Sequence, residues 1–247
     1  MGLFDLFKPK WKHSDPEVRL AAVRRMVTGD EALPLIVRQD TDARVRRVAI
    51  KKIDDPVLLE GIAREDADEA VRASAAEKAA LLLQAVALAA EPEREARAAC
   101  ERLRDQRALG EVAKHAALEP VRRAALGRLT DQRALADVAL LAQDAAIREA
   151  AFAAVTDAAA LRELACAPEA TKNVAMQALE RIQDRAAIEA VAERAKSKVV
   201  RGAAKTRLKA LAPAKTVDPE EVRRREAAAE AQRQAVVEKA RKEEADK

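Results

Sequence analysis

The chain has 247 residues, 49% of them hydrophobic, 36% charged and 2% aromatic, with a net charge of +4 and an isoelectric point near 9.1. Its 61 alanines favour helix, and its six glycines exclude a Gly-rich phosphate loop. No apolar run reaches the roughly 18 residues of a membrane span, and two distant cysteines, Cys100 and Cys166, make no disulfide framework.

Residues 1–13 form an aromatic, basic segment. Phe4, Phe7 and Trp11 stand with Leu3 and Leu6, and Lys8, Lys10 and Lys12 follow. The first reading is a cap over the open apolar end of a repeat array. A partner-docking peptide and a weak membrane-surface contact are the alternatives, since aromatic rings and lysines suit an interface. Gly2 does not make a myristoylation signal, because Leu6 stands where Ser or Thr is needed.

Residues 14–212 repeat. A Val-Arg pair recurs at Val18-Arg19, Val45-Arg46, Val71-Arg72, Val121-Arg122 and Val200-Arg201, with softer copies at Ala96-Arg97 and Ile147-Arg148. Val174-Ala175 keeps the period without the arginine. The spacings run 27, 26, 25, 25, 26, 27 and 26, so a unit is about 26 residues. Four positions after the valine stands a small residue: Ala22, Ala49, Ala75, Cys100, Ala125, Ala151, Ala178 and Ala204. Eight positions after it an apolar residue is usual, and offsets of four and eight mark one face of a helix.

A second pattern follows each first one, as in Leu33/Ile36/Val37, Leu59/Ile62/Ala63, Leu83/Val86/Ala87, Leu109/Val112/Ala113 and Ile188/Val191/Ala192. It predicts a second, shorter amphipathic helix in each unit. Seven pairs and one last unpaired helix make about fifteen. Asp55, Asp105, Asp131, Asp157 and Asp184 stand four residues before the leucine position, where an N-cap belongs. Pro16 and Pro120 fit the first turn of a Val-Arg helix, and Ser14-x-x-Glu17 has the form of a capping box. One such pair cannot bury its apolar face alone, so the expectation is an all-α fold: an α-solenoid of about eight two-helix repeats.

Residues 213–247 begin with a Pro-bearing break, APAKTVDP, and continue as a charged, alanine-rich stretch with pairs such as Glu238–Lys242. They predict a linker and a solvated charged helix. The apolar positions there, mostly alanine with Val222, Val236 and Val237, are too weak for a coiled coil.

The strings EPVRRAALGRLTDQRALADVALLAQD and AAIREAAFAAVTDAAALRELACAPE resemble the short HEAT repeats of the phycobilisome-lyase type and leucine-rich-variant repeats. The layout that opens with MGLFDLFKPKWKHSDPEVRLAAVRRM and closes on charged helices is similar to a bacterial family of uncharacterised repeat proteins. The resemblance implies an α-solenoid and is nearly silent on function.

No residue set points to catalysis. Cys100 fills a slot that alanine fills elsewhere, so a buried small hydrophobe is the simpler account. His13 and His115 are the only histidines and lack the adjacent glutamate of His-Glu metal-binding HEAT proteins. No metal, no cofactor and no small-molecule substrate are expected. The recurrent arginines allow two readings: a ladder of pairs with turn aspartates, or a grip on an acidic ligand.

Charge is unevenly spread. The ten-residue stretches starting at the valine positions hold 21 Lys/Arg and 6 Asp/Glu, whereas the stretches between them hold 13 and 24. This predicts a basic face on the Val-Arg helices, with Arg46, Arg47, Lys51, Lys52, Arg122, Arg123, Arg128, Arg201 and Lys205 as candidate partner-binding residues. The resemblance puts that face on the concave side. The candidate docking segment is Phe4, Phe7 and Trp11. The resulting expectation is a non-catalytic scaffold or adaptor in a reducing cytoplasm, without a signal peptide. Its partner is a protein, and an acidic one suits the basic face. The alternative is a nucleic-acid binder using that face, although stacking aromatics are missing from the repeats.

Overall fold

The computed structural model describes residues 9–211 together with Ala227, Ala228 and Glu230. The rest of the predicted charged helix, and Phe4 and Phe7 of the docking segment, lie outside the described residues. Among the described residues the fold is all-helical: a 3-10 turn at Lys10–Lys12 and fourteen α-helices, with no strand. The Val-Arg segments form α1 (Pro16–Arg25), α3 (Ala43–Ile50), the first half of α5 (Glu69–Leu88), α6 (Glu93–Arg102), α8 (Glu119–Gly127), α10 (Ala145–Ala154), α12 (Lys172–Arg181) and α14 (Lys198–Leu211). The leucine segments form α2 (Leu33–Gln39), α4 (Pro56–Glu65), the second half of α5, α7 (Gln106–His115), α9 (Gln132–Leu141), α11 (Ala158–Cys166) and α13 (Arg185–Arg194).

Each leucine helix packs most closely on the Val-Arg helix that follows it, as in α2 on α3, α7 on α8 and α13 on α14. Helices of one kind also touch their neighbours of the same kind: α1 with α3, α6 with α8, α7 with α9 and α11 with α13. Each unit thus covers the apolar face of the next.

The helix starts follow from aspartates. Asp55, Asp105, Asp131, Asp157 and Asp184 all cap their helices through side-chain oxygens, as expected. The same happens before Val-Arg helices, at Asp42, Asp68 and Asp144. The N-cap falls one residue after the predicted Ser14. Asp15 is the N-cap of α1 and its Oδ1 accepts the Glu17 N–H at 2.8 Å, because Pro16 takes the first helical position. The turn between α1 and α2 needs Gly29, whose φ of +81° disfavours a side chain.

The third unit departs from the expected two helices. Its predicted break falls at Ala79-Ala80-Leu81, where other units carry an aspartate such as Asp55 or Asp131. Without an N-cap, and with strong helix formers in its place, the backbone continues as one 20-residue helix. That is why fourteen helices stand where fifteen were expected. The buried side chains divide at this helix. Val71, Ala75 and Ala79 belong to a cluster that begins at Leu20, and Leu83 and Ala87 to one that ends at Ala204. The Arg102–Glu60 ion pair at 2.9 Å links α6 back to α4 across the same helix.

The small-residue slot is fully buried from Ala49 to Ala204, and only Ala22, at the edge, is half-buried. Close approach of neighbouring Val-Arg helices depends on it. In the leucine pattern Ala63 is half-buried and Val86 is 41% exposed on the continuous helix. Ala125→Leu or Ala151→Leu should therefore overpack adjacent helices and cost about 1–3 kcal/mol. Ala153→Leu, on the exposed side of α10, should stay within about 0.5 kcal/mol, and urea unfolding of the three variants measures the difference.

Candidate docking surfaces

The recurrent arginines turn inward. Arg19, Arg72, Arg122, Arg148 and Arg201 each donate Nη1 to the carbonyls five and six residues back, and Arg46 to the one six back. Typical distances are 2.7 Å from Arg148 to the Ala142 carbonyl and 2.8 Å from Arg122 to that of Ala116. From Arg46 onward these carbonyls end the preceding leucine helix, where no intrahelical donor remains, and for Arg19 they follow the 3-10 turn at Lys10–Lys12. A guanidinium in the first turn of one helix thus caps the last turn of the helix before it.

Among the described residues aspartates join this clamp in three units. Arg19 meets Asp40 and Arg46 meets Asp66 through paired bonds of 2.8–2.9 Å, and Arg122 meets Asp144 at 3.1 Å. The carboxylate ladder expected for every unit is therefore partial, and the carbonyl contact is the common element. Arg97 makes neither bond. It is exposed and pairs with Glu101 at 3.4 Å. Burial pushes the Asp66 carboxyl up, but hydrogen bonds from Arg46 and the Asp68 N–H outweigh it and leave the group below its ordinary range. Asp144 is lowered chiefly by Arg122. Asp42 is lowered to about 2 by hydrogen bonds from the Arg44 side chain and backbone.

A second set of cations, not foreseen from the sequence, lies one period apart at the other helix ends. Lys52 Nζ donates to the Met26 carbonyl at 2.6 Å and Arg128 Nη2 to that of Leu103 at 2.7 Å. Arg128 also donates to the Cys100 carbonyl. Arg181 donates to the carbonyls of Phe152 and Val155, and Arg207 to that of Leu179. Each cation caps the C-terminus of the preceding Val-Arg helix, whose dipole favours positive charge. The recurrence of Lys or Arg near the end of these helices was the available signal. Gln106 and Gln132 add a third link: each Oε1 accepts two backbone N–H groups of the next turn, Thr130 and Asp131, or Thr156 and Asp157.

The predicted basic face is thinned accordingly. Arg46, Arg122, Arg128, Arg201 and Lys52 donate to the chain itself. Arg128, a candidate partner-binding residue, is half-buried. Arg47, Lys51, Arg123 and Lys205 are exposed. Arg123 pairs with Glu119 at 2.6 Å, and Arg47 donates to Ser74 Oγ at 3.4 Å. Trp11 is half-buried against the first cluster and carries Lys12 Nζ over its ring at 4.6 Å.

A groove that the sequence did not signal lies between α2 and α4. It has a volume of about 470 Å³ and is lined by Arg38, Asp55, Val57, Gly61, Ile62 and Glu65, among others. Val57 is 64% exposed there, and a Cβ on Gly61 would meet nothing within 4 Å.

Cys100 is fully buried and Cys166 half-buried, and burial pushes both thiols above their ordinary range. The thiolate needed of a nucleophile is thereby disfavoured. Among the described residues no three His, Cys, Asp or Glu side chains form a metal-holding group, and no helix is long and apolar enough to cross a membrane. Comparisons with family models, with curated proteins and with solved structures returned no match.

Arg46→Ala should cost about 2–4 kcal/mol in chemical unfolding, because Asp66 and the Asp40 carbonyl lose their donor in a largely buried place. Arg128→Glu should destabilise by about 1–3 kcal/mol by setting a carboxylate against the carbonyls of α6, whereas Lys51→Glu should stay within about 0.5 kcal/mol. The lowered Asp42 gives stability that is fully present above the ordinary carboxylate value of 3.8 and is lost as pH falls through about 2. Thermal midpoints of the wild type should fall across that window, and Asp42→Asn should flatten the fall.

Proposed function

We propose that this chain is a non-catalytic scaffold or adaptor: an α-solenoid of HEAT-like repeats that holds a protein partner against its surface in the cytoplasm. The groove between α2 and α4 carries this reading. Val57, Gly61 and Ile62 give it an apolar centre, and Arg38, Asp55 and Glu65 give it a polar rim, the anatomy of a protein-docking site. Val57, 64% exposed, leaves the groove open to solvent, which suits side chains of a partner better than an enclosed small ligand. The two disfavoured thiols fit a role without catalysis. A nucleic-acid role along the whole repeat array has less support, since five of its nine candidate cations donate to backbone carbonyls and two more, Arg47 and Arg123, meet side chains of the chain itself.

Gly61→Phe fills the groove from a helix interior with open space above it. With Val57→Glu it forms the test. A protein that co-purifies with the wild type from its native extract should be lost from both variants at unchanged circular dichroism and thermal midpoint. Retention of the partner by both would move the docking site elsewhere, and the absence of any protein partner would defeat the adaptor reading.

A further inference from the structure

The groove between α2 and α4 follows one face of α4. Its lining takes Val57, Leu58, Gly61, Ile62 and Glu65, which recur at helical spacing, and the capping residues Asp55 and Asp66 stand at its two ends. From Asp55 to Asp66 the helix rises about 16 Å, three turns. Leu58 and Ile62 are buried and form the floor, whereas Val57 is 64% exposed. Gly61, midway along, adds no side chain, and nothing lies within 4 Å of the place a Cβ would take.

Arg46 fixes how the two walls meet. It donates Nη1 to the Asp40 carbonyl at 2.7 Å, and Nε and Nη2 to the Asp66 carboxylate at 2.9 and 2.8 Å. Asp40 and Asp66 are the C-caps of α2 and α4, so the C-terminal ends of both walls lie side by side. Arg38 on one wall and Glu65 on the other therefore stand at the same end of the groove. Asp66 is held by Arg46, and Asp55 accepts the Val57 and Leu58 N–H groups. Arg38 is exposed and has no hydrogen bond or ion pair among the described residues. Glu65, its side chain 76% exposed, meets Arg64 at 3.8 Å. The charges most open to a ligand are thus a cation on the α2 wall and an anion on the α4 wall.

The lining discriminates among the ways a protein segment can be held. Strand addition needs an open sheet edge, and both walls here are helices whose backbone bonds close within themselves. A proline-rich segment needs aromatic walls, and no described residue of the lining is aromatic. A phosphorylated segment needs an arginine cluster, and Arg38 stands against Asp55, Glu65 and Asp66. An apolar strip three turns long between two helices is the seat of another helix.

Resting on the reading of this groove as the docking site, we propose that its occupant is an amphipathic helix of about three turns in the partner protein. Apolar side chains at i, i+4 and i+7 cover Val57, Gly61 and Ile62, and the one over Gly61 is bulky, because that space is otherwise open. At the Arg38–Glu65 end the helix carries an acid on its α2 side and a base on its α4 side, which fixes its orientation.

Fluorescence anisotropy of the full chain with synthetic helices tests this. The probe is a blocked, alanine-based peptide of about 14 residues with leucines at those spacings and a glutamate and a lysine flanking the last leucine. It should bind at least about tenfold more tightly than a peptide of the same composition with the leucines scattered round the helix, or one broken by a central proline. Gly61→Phe should abolish binding at unchanged circular dichroism. The wild type should prefer this peptide, or its twin with glutamate and lysine exchanged, by at least about threefold, and Arg38→Glu combined with Glu65→Lys should prefer the other. Equal binding of striped and scattered peptides, no binding up to about 1 mM, or an unchanged preference in the double variant overturns the proposal. A native partner that is lost from Gly61→Phe although the striped peptides fail to bind would keep the adaptor reading and overturn the helical occupant alone.

Discussion

A helix of ten residues leaves four N–H groups and four carbonyls without intrahelical partners, about two fifths of its backbone polar groups. Eight of the fourteen helices here have ten residues, and four more are shorter. Helix ends, rather than helix interiors, therefore set the polar chemistry of this chain. Aspartates accept at the N-termini, arginines reach back over the loops, and a lysine or arginine one period on closes the C-terminus of the preceding Val-Arg helix. An arginine in the first turn looks unfavourable against its own helix dipole. It is placed by the carbonyls of the previous helix, which it meets at hydrogen-bond distance.

That requirement explains the uneven charge of the sequence. The acid-rich stretches contain most of the N-capping aspartates, such as Asp55, Asp131 and Asp184, and the base-rich stretches contain the clamp arginines and the C-terminal capping cations. Much of what reads as two oppositely charged faces is one charge at each kind of helix end, neutralised within the fold. Cations left over after capping are better markers of interaction than the overall balance.

The helical periodicity was legible because it is written in local spacing. Small residues at the fourth position and apolar ones at the eighth located the buried faces, and Asp55, Asp105, Asp131, Asp157 and Asp184 located five helix starts. The fused third unit was missed, because the leucine pattern at Leu83 suggested a separate helix; the missing aspartate before it was the available signal. The capping partners of Arg128 and Arg181 were not legible, because they depend on which helix end lies beside which. Nor was the groove at Val57 and Gly61: an exposed valine and a glycine in a helix carry no periodic mark until α2 is placed beside α4.

Helix α5 sets how these units act together. In an array where units contact only their neighbours, stability is a sum of local terms and each interface is a place to open. Here the junction between the two buried clusters is a continuous helix backbone, about 30 Å long, rather than a loop. Separating the halves requires breaking helical hydrogen bonds as well as the Arg102–Glu60 pair. The groove of α2 and α4 lies on the cluster on the N-terminal side of that helix, with Leu58 and Ile62 shared between its lining and that cluster. Whatever occupies the groove would therefore be held by one packed unit, which α5 joins to the units that follow.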